Sequence, residues 1–164
     1  MNLIVVVDEK WGIGKNNDLL FRLKKDMAFF RQTTTGKVVV MGANTFRSFP
    51  NGALPNRTNV VLDADGNHYD GATTVTSTKD LFKLLAAYPS SDVFVIGGAS
   101  VYKLLLDECS TAYVTKVQAD GDAQLFFPNL DCNDGWVLAE RSDDVQDGDF
   151  VINFCTYRNK RFIK

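Results

Sequence analysis

Hydrophobic and polar positions along this chain fall into blocks that switch period. Asn2 to Val7 is an almost unbroken apolar run, the pattern of a strand covered on both faces. Lys37 to Met41, Asn59 to Leu62, Thr73 to Thr76 and Val93 to Ile96 are further short, β-branched runs. Helical spacing fills the gaps at Lys24 to Thr34, Asn44 to Phe49, Thr78 to Tyr88 and Ser100 to Leu106. In the third of these, Thr78 reads as the N-cap, Leu81, Leu84 and Leu85 share a face, and Pro89 closes the helix. Strand and helix in alternation predict βαβ crossovers and a parallel sheet. After Cys109 the helices stop: Ala112 to Val117, Trp136 to Glu140 and Phe150 to Phe162 read as consecutive strands, which tend to pair antiparallel. The expectation is one α/β domain over residues 1–164, with a mainly parallel central sheet, an antiparallel C-terminal edge strand and helices on both faces.

Asp26 breaks the pattern of the first helix. Leu23 lies three positions before it, Phe29 and Phe30 three and four after, and those offsets share a helix face. The carboxylate therefore falls on the stripe meant for the interior. A poorly solvated carboxyl has its pKa pushed upward, and it then holds or passes a proton near neutral pH. Two plainer roles compete locally: an acid favoured by the helix dipole, or an ion pair with Arg22 four residues earlier.

Composition removes several chemistries. The 164 residues suffice for a sizeable core, and 45% hydrophobic with 23% charged residues is ordinary for a soluble globular protein. A formal net charge of −2, with no local Lys and Arg cluster, gives no attraction to nucleic acid or anionic lipid. The run Leu3 to Val7 is too short for a signal segment, and no stretch reaches the length of a membrane span, so the expected setting is the cytoplasm. Cys109, Cys132 and Cys155 are widely spaced without C-x-x-C, so neither a disulfide framework nor a metal site is expected. The single histidine, His68, lies in the turn-like Gly66 to Asp70, without any G-x-S-x-G to support a triad. An enzyme made from these residues must rely on a carboxylate or a bound cofactor.

Two junctions read strand, glycine, helix: Val38 to Met41 before Gly42-Ala43-Asn44-Thr45, and Val93 to Ile96 before Gly97-Gly98-Ala99-Ser100. Glycine lets backbone approach a ligand, and the helix start offers unpaired N–H groups. Two such corners at one end of a parallel sheet suit a pyrophosphate, with the Thr45 hydroxyl as an added donor, although either alone is more often a tight turn. There is no G-x-G-x-x-G. Trp11 to Asp18 is too long for a minimal connection and reads as a lid or a surface excursion. Arg57 reads as a surface charge or as a fixed fork for a carboxylate.

Together these segments resemble dihydrofolate reductase over nearly the full length. The matching order is Trp11 to Asn16, Asp26 with Phe29-Phe30-Arg31, Gly36 to Gly42, Thr45-Phe46, Ser48-Phe49-Pro50, Leu54 to Asn59, Val95 to Ala99 with Val101-Tyr102, Tyr113-Val114-Thr115, Gly121-Asp122 and Phe127-Pro128. The resemblance implies hydride transfer from NADPH to dihydrofolate, with Asp26 holding the pterin edge and promoting protonation at N5, supported by Thr115. It implies a folate slot of Val6, Leu19, Met27, Phe30, Phe49, Leu54 and Ile96, with Arg57 on the α-carboxylate of the glutamate tail. It implies cofactor contacts from Val6, Ile13, Gly14, Asn17, Leu19, Gly42, Ala43, Asn44, Thr45, Leu62, Asp63, Ala64, Ile96, Gly97, Gly98, Ala99, Ser100, Val101 and Tyr102. A lid from Glu9 to Arg22, a monomeric state and antifolate inhibitors as further ligands complete the implied picture.

The chain departs from the family pattern in two places. Leu19-Leu20-Phe21 stands where Leu-Pro-Trp or Met-Pro-Trp is usual. Phe21 thus takes a catalytic-site position without an indole N–H, and Leu20 frees a backbone that proline would stiffen. Ala43, Asp63, Ala64 and Ser100 replace residues that usually meet the adenosine 2′-phosphate, which points to a relaxed preference and tolerance of NADH, unless Lys79 or Lys37 restores the cation. The competing readings are a pyrimidine reductase of riboflavin synthesis and a folate- or nucleotide-binding module without turnover.

Overall fold

The computed structural model describes residues 1–163. Strands β1 (Asn2–Val7), β2 (Gly12–Lys15) and β3 (Asp18–Leu19) precede α1 (Lys24–Thr34); β4 (Val38–Gly42) leads into α2 (Ala43–Arg47). Next come β5 (Thr58–Leu62), β6 (Ala72–Val75), α3 (Thr78–Leu85), β7 (Val93–Gly97) and α4 (Ala99–Leu105). After α4 come strands separated by short 3-10 turns: β8 (Thr111–Val117), β9 (Leu125–Phe126), β10 (Trp136–Arg141), β11 (Val145–Asp147) and β12 (Phe150–Asn159). The main sheet runs β10-β12-β8-β1-β7-β4-β5-β6, with β11 paired to β12. From β8 to β6 every pairing is parallel, and β10, β11 and β12 add antiparallel strands at the other side. The expected architecture is present, with an antiparallel margin of three strands.

Strand alternation assigns the helices to faces. Leu3, Val5, Val38, Val40, Val93 and Val95 pack with Leu81 and Leu85 of α3 and with Val101, Tyr102 and Leu105 of α4. The opposite parity, Val39, Met41 and Val61, packs with Phe46 of α2, while the Phe29 ring of α1 lies tilted against Phe154 at 4.9 Å and edge-on to Tyr113. Each fully buried Val or Leu contributes about 1.5–3 kcal/mol of transfer free energy, so both faces are strongly specified.

Three sequence readings need correction. The cap of α3 is Ser77, whose hydroxyl accepts from the Asp80 N–H, and the helix ends at Leu85 before the expected Tyr88. Helix α2 starts directly after Gly42. Trp11 to Asp18 is largely ordered strand: β2 pairs with β3 and β9 in a separate small sheet. Asn16 and Asn17, both at positive φ (52° and 60°), form the two-residue turn between β2 and β3.

Candidate active site

The parallel strands end together, and their C-terminal ends carry the candidate residues, as open α/β sheets usually arrange. Helix α1 brings Asp26, Met27 and Phe30 to one side. Leu23 is buried and Phe29 and Phe30 are half-buried, so the stripe on which Asp26 lies does face inward. Thr115 of β8, 1% exposed, pairs in register with Val6 of β1. Burial pushes the Asp26 carboxyl up to about 6; the Thr115 hydroxyl pulls back toward the anion, and the nearby Asp147 carboxylate adds to the rise. Arg22 instead pairs with Asp18 at 2.7 Å, which removes the ion-pair reading of Asp26.

Around this acid the apolar residues gather in two groups. Val6 and Phe21 pack with Leu23, Val117 and Ile152, and the Phe21 ring meets Phe150 edge-on at 5.0 Å. Phe49, Leu54 and Ile96 pack on the Val39, Met41 and Phe46 cluster. Met27 and Leu19 leave 53% and 59% of their surface exposed, so they stand at the mouth rather than in the core. Arg57 lies over the Phe30 ring at 5.9 Å, with Nε donating to the Pro55 carbonyl (2.9 Å) and Nη1 to the Thr34 hydroxyl (3.2 Å). It has no carboxylate partner within 4.0 Å among the described residues. Partial burial, followed by the charge of Arg31, lowers its pKa. A fixed, half-buried fork without its own anion suits a carboxylate ligand.

The two glycine corners converge. Met41 and Gly97 are register partners, and a Cβ placed on Gly98 would lie 3.3 Å from the Thr45 hydroxyl. A Cβ on Gly42 would press on Val101 at 3.0 Å. Neither α2 nor α4 has a side-chain cap, so their first-turn N–H groups remain available to a ligand. These are features that fit a dinucleotide pyrophosphate. Ala43, Asn44, Thr45, Gly98, Ala99 and Ser100 are partly or wholly exposed there, whereas Val101 and Tyr102 are buried and Tyr102 donates to the Ile4 carbonyl at 2.6 Å.

The family model for dihydrofolate reductase matches residues 1–161. The chain belongs to the dihydrofolate reductase family. The Bacillus subtilis dihydrofolate reductase is 32% identical over 167 residues, spanning 100% of this chain and 97% of that protein. The Haemophilus influenzae dihydrofolate reductase is 35% identical over 129 residues, 79% of each chain. The solved Enterococcus faecalis dihydrofolate reductase, complexed with NADP(H) and RAB-propyl, matches with a TM-score of 0.86 at 28% identity, covering 96% of this chain and 95% of that one.

Within this dihydrofolate reductase fold, Ile13 and Gly14 lie on β2, Leu19 on β3 and Asn17 in the turn between them. Asp63 is turned into its own loop: its carboxylate accepts from the Asp65 N–H (2.9 Å), Asn67 (3.1 Å) and the Tyr69 hydroxyl (2.6 Å). It is therefore not the free ribose acceptor that its position after Leu62 suggests, while Ala64 beside it is exposed. Lys37 pairs with Asp92 at 2.8 Å and stands before β4, at the end of the strand away from Gly42. Sequence reasoning missed Arg47, whose guanidinium donates to the Tyr69 hydroxyl at 2.9 Å. Its signal was present: Arg47 is four residues after Ala43, on the same helix face. The buried carboxylates Asp8, which accepts from the N–H groups of Lys10, Gly12 and Gly121, and Asp147, which accepts from those of Lys25 and Asp26, were missed as well, because no side-chain pattern reveals backbone partners.

Proposed function

We propose that this chain reduces 7,8-dihydrofolate to 5,6,7,8-tetrahydrofolate with NADPH, using Asp26 to bind the pterin and to promote protonation at N5. The observation that carries this assignment is a shielded carboxyl with its pKa near 6, set among apolar side chains and backed by Thr115. The reaction adds one hydrogen at each end of the C6–N5 double bond. NADPH, when bound, supplies the hydride. Asp26 supports the other half: its anionic form accepts hydrogen bonds from a pterin amide and amino edge, and its protonated form feeds a proton toward N5. Thr115 orients that carboxyl. Met27, Phe30, Phe49, Leu54 and Ile96 exclude water from the ring, and Arg57 takes the α-carboxylate of the tail. Gly42 to Thr45 and Gly97 to Tyr102 form the cofactor's phosphate surroundings, joined by Val6, Ile13, Gly14, Asn17, Leu19, Leu62 and Ala64. Phe21 takes the indole position and borders the proton path without donating to it.

The same slot is proposed to take antifolates, with the protein acting as a cytoplasmic monomer; light scattering and cell fractionation test those two points. Absorbance of cofactor oxidation with dihydrofolate tests the reaction and separates it from a module without turnover. The pyrimidine reductase reading is not favoured by the family match. Running NADPH and NADH in parallel tests relaxed cofactor preference, which a NADPH advantage of about a hundredfold or more, about 2.7 kcal/mol, would exclude.

A further inference from the structure

The helix that carries Asp26 is not capped by its own flank. Leu23, at its N-cap, offers no side-chain acceptor. The N–H groups of Lys25 and Asp26 instead donate to Oδ2 of Asp147, at 2.9 Å and 3.3 Å, from a residue more than 120 positions away. Asp147 is only 4% exposed and ends β11, where Gly148 at φ +62° turns the chain back into β12. Asp147 pairs with Phe150 across that turn, so its position is set by the hairpin. The Lys25 ammonium donates to the neighbouring Gln146 carbonyl at 2.7 Å and adds a second tie between α1 and β11.

We propose that Asp147 is a positioning residue for Asp26, fixing the helix turn that bears the acid and placing a second negative charge beside it. The inference rests on the assignment of Asp26 as the acid of the proposed reaction. A neutral acceptor such as Ser or Asn would satisfy the same N–H groups; an aspartate adds charge. That charge is favourable against the helix N-terminus and unfavourable against Asp26. The side chains that act on Asp26 are Thr115 from β8 and Asp147 from β11, and only Asp147 brings a charge; the Tyr102 phenol, on α4 at the other face of the sheet, is neutral and donates to the Ile4 carbonyl. On α1 itself, Lys25 is held on Gln146, and neither acid has a cation within 4.0 Å among the described residues. Two carboxyls on one turn without a cation favour proton retention by one of them. Asp147 accepts from two helix N–H groups, and its charge adds to the rise that burial gives Asp26.

Asp147→Asn separates cap from charge, since the amide oxygen still accepts from both N–H groups. The Asp26 carboxyl carbon is followed by NMR against pH in the ligand-free full chain, assigned by its loss in Asp26→Asn. Turnover with dihydrofolate and NADPH is measured in parallel. In Asp147→Asn the Asp26 midpoint moves down, and kcat above that midpoint drops about threefold, equivalent to about half a pH unit. KM for NADPH and the melting temperature stay unchanged. In Asp147→Ala the melting temperature falls as well; if that variant does not fold, the Asn variant carries the test. An Asp26 midpoint unmoved in Asp147→Asn overturns the proposal. A moved midpoint with undiminished turnover in Asp26→Asn supports the positioning and rejects the catalytic reading instead.

Discussion

Asp26 holds its carboxyl against solvation, and that has a cost in stability. Its pKa is about 6 in the folded chain against an ordinary 3.8. Between those values the folded state binds the proton that the unfolded state has lost, so stability falls as pH rises through the window. Asp26→Asn removes the penalty: at neutral pH the variant is expected to be more stable by about 2 kcal/mol, below the roughly 3 kcal/mol full conversion because the site is partly solvated. Below about pH 4 the gain should vanish, and urea unfolding at both pH values checks it. Arg57 poses the complementary case of a cation without an anion. Arg57→Ala is expected to raise KM for dihydrofolate about thirtyfold while kcat changes little, as loss of a charged hydrogen-bonded pair in ground and transition states alike requires. Steady-state kinetics that showed the loss in kcat would reject Arg57 as a substrate clamp.

At the scale of elements, the segment from Glu9 to Arg22 is tied to the chain between Ala119 and Phe127. Asp8, 2% exposed, accepts from the N–H groups of Lys10 (2.9 Å), Gly12 (2.7 Å) and Gly121 (2.9 Å). Lys10 pairs with Asp120, Lys15 with Asp122, and Gln124 donates to the Gly14 carbonyl. Asp8→Ala leaves three donors without their anion. It is expected to cost about 3 kcal/mol, measured by denaturant unfolding, and to speed proteolytic cleavage between Lys10 and Arg22. The parallel core was legible in sequence because Val38 to Met41 and Val93 to Ile96 are continuous apolar runs that only buried strands tolerate. The small sheet was not, since β3 and β9 are two residues each and carry no period. Its one local signal was Asn16-Asn17, residues that accept positive φ.

Across the whole molecule, the site draws on both ends of the chain, and this sets what sequence reasoning reached. Asp26 was legible because its stripe is local to α1. Asp147 was not, because the contact spans the fold and involves backbone donors. Cofactor choice is likewise a property of several elements. Arg47 of α2 stands one turn after Ala43, with Tyr69 between it and Asp63, and is proposed as the cation that Ala43 and Ser100 do not supply. Arg47→Ala is expected to raise KM for NADPH about tenfold and leave KM for NADH unchanged; equal effects on both would remove Arg47 from the phosphate site. That one shielded carboxyl governs protonation of the pterin is the proposal on which the mechanism depends. It is tested most directly by kcat/KM for dihydrofolate against pH in wild type and Asp26→Asn. The account predicts a wild-type profile that titrates near pH 6 and a variant at least about a hundredfold slower at neutral pH, with that titration gone. A variant that matches wild type at neutral pH, or keeps the same titration, contradicts it.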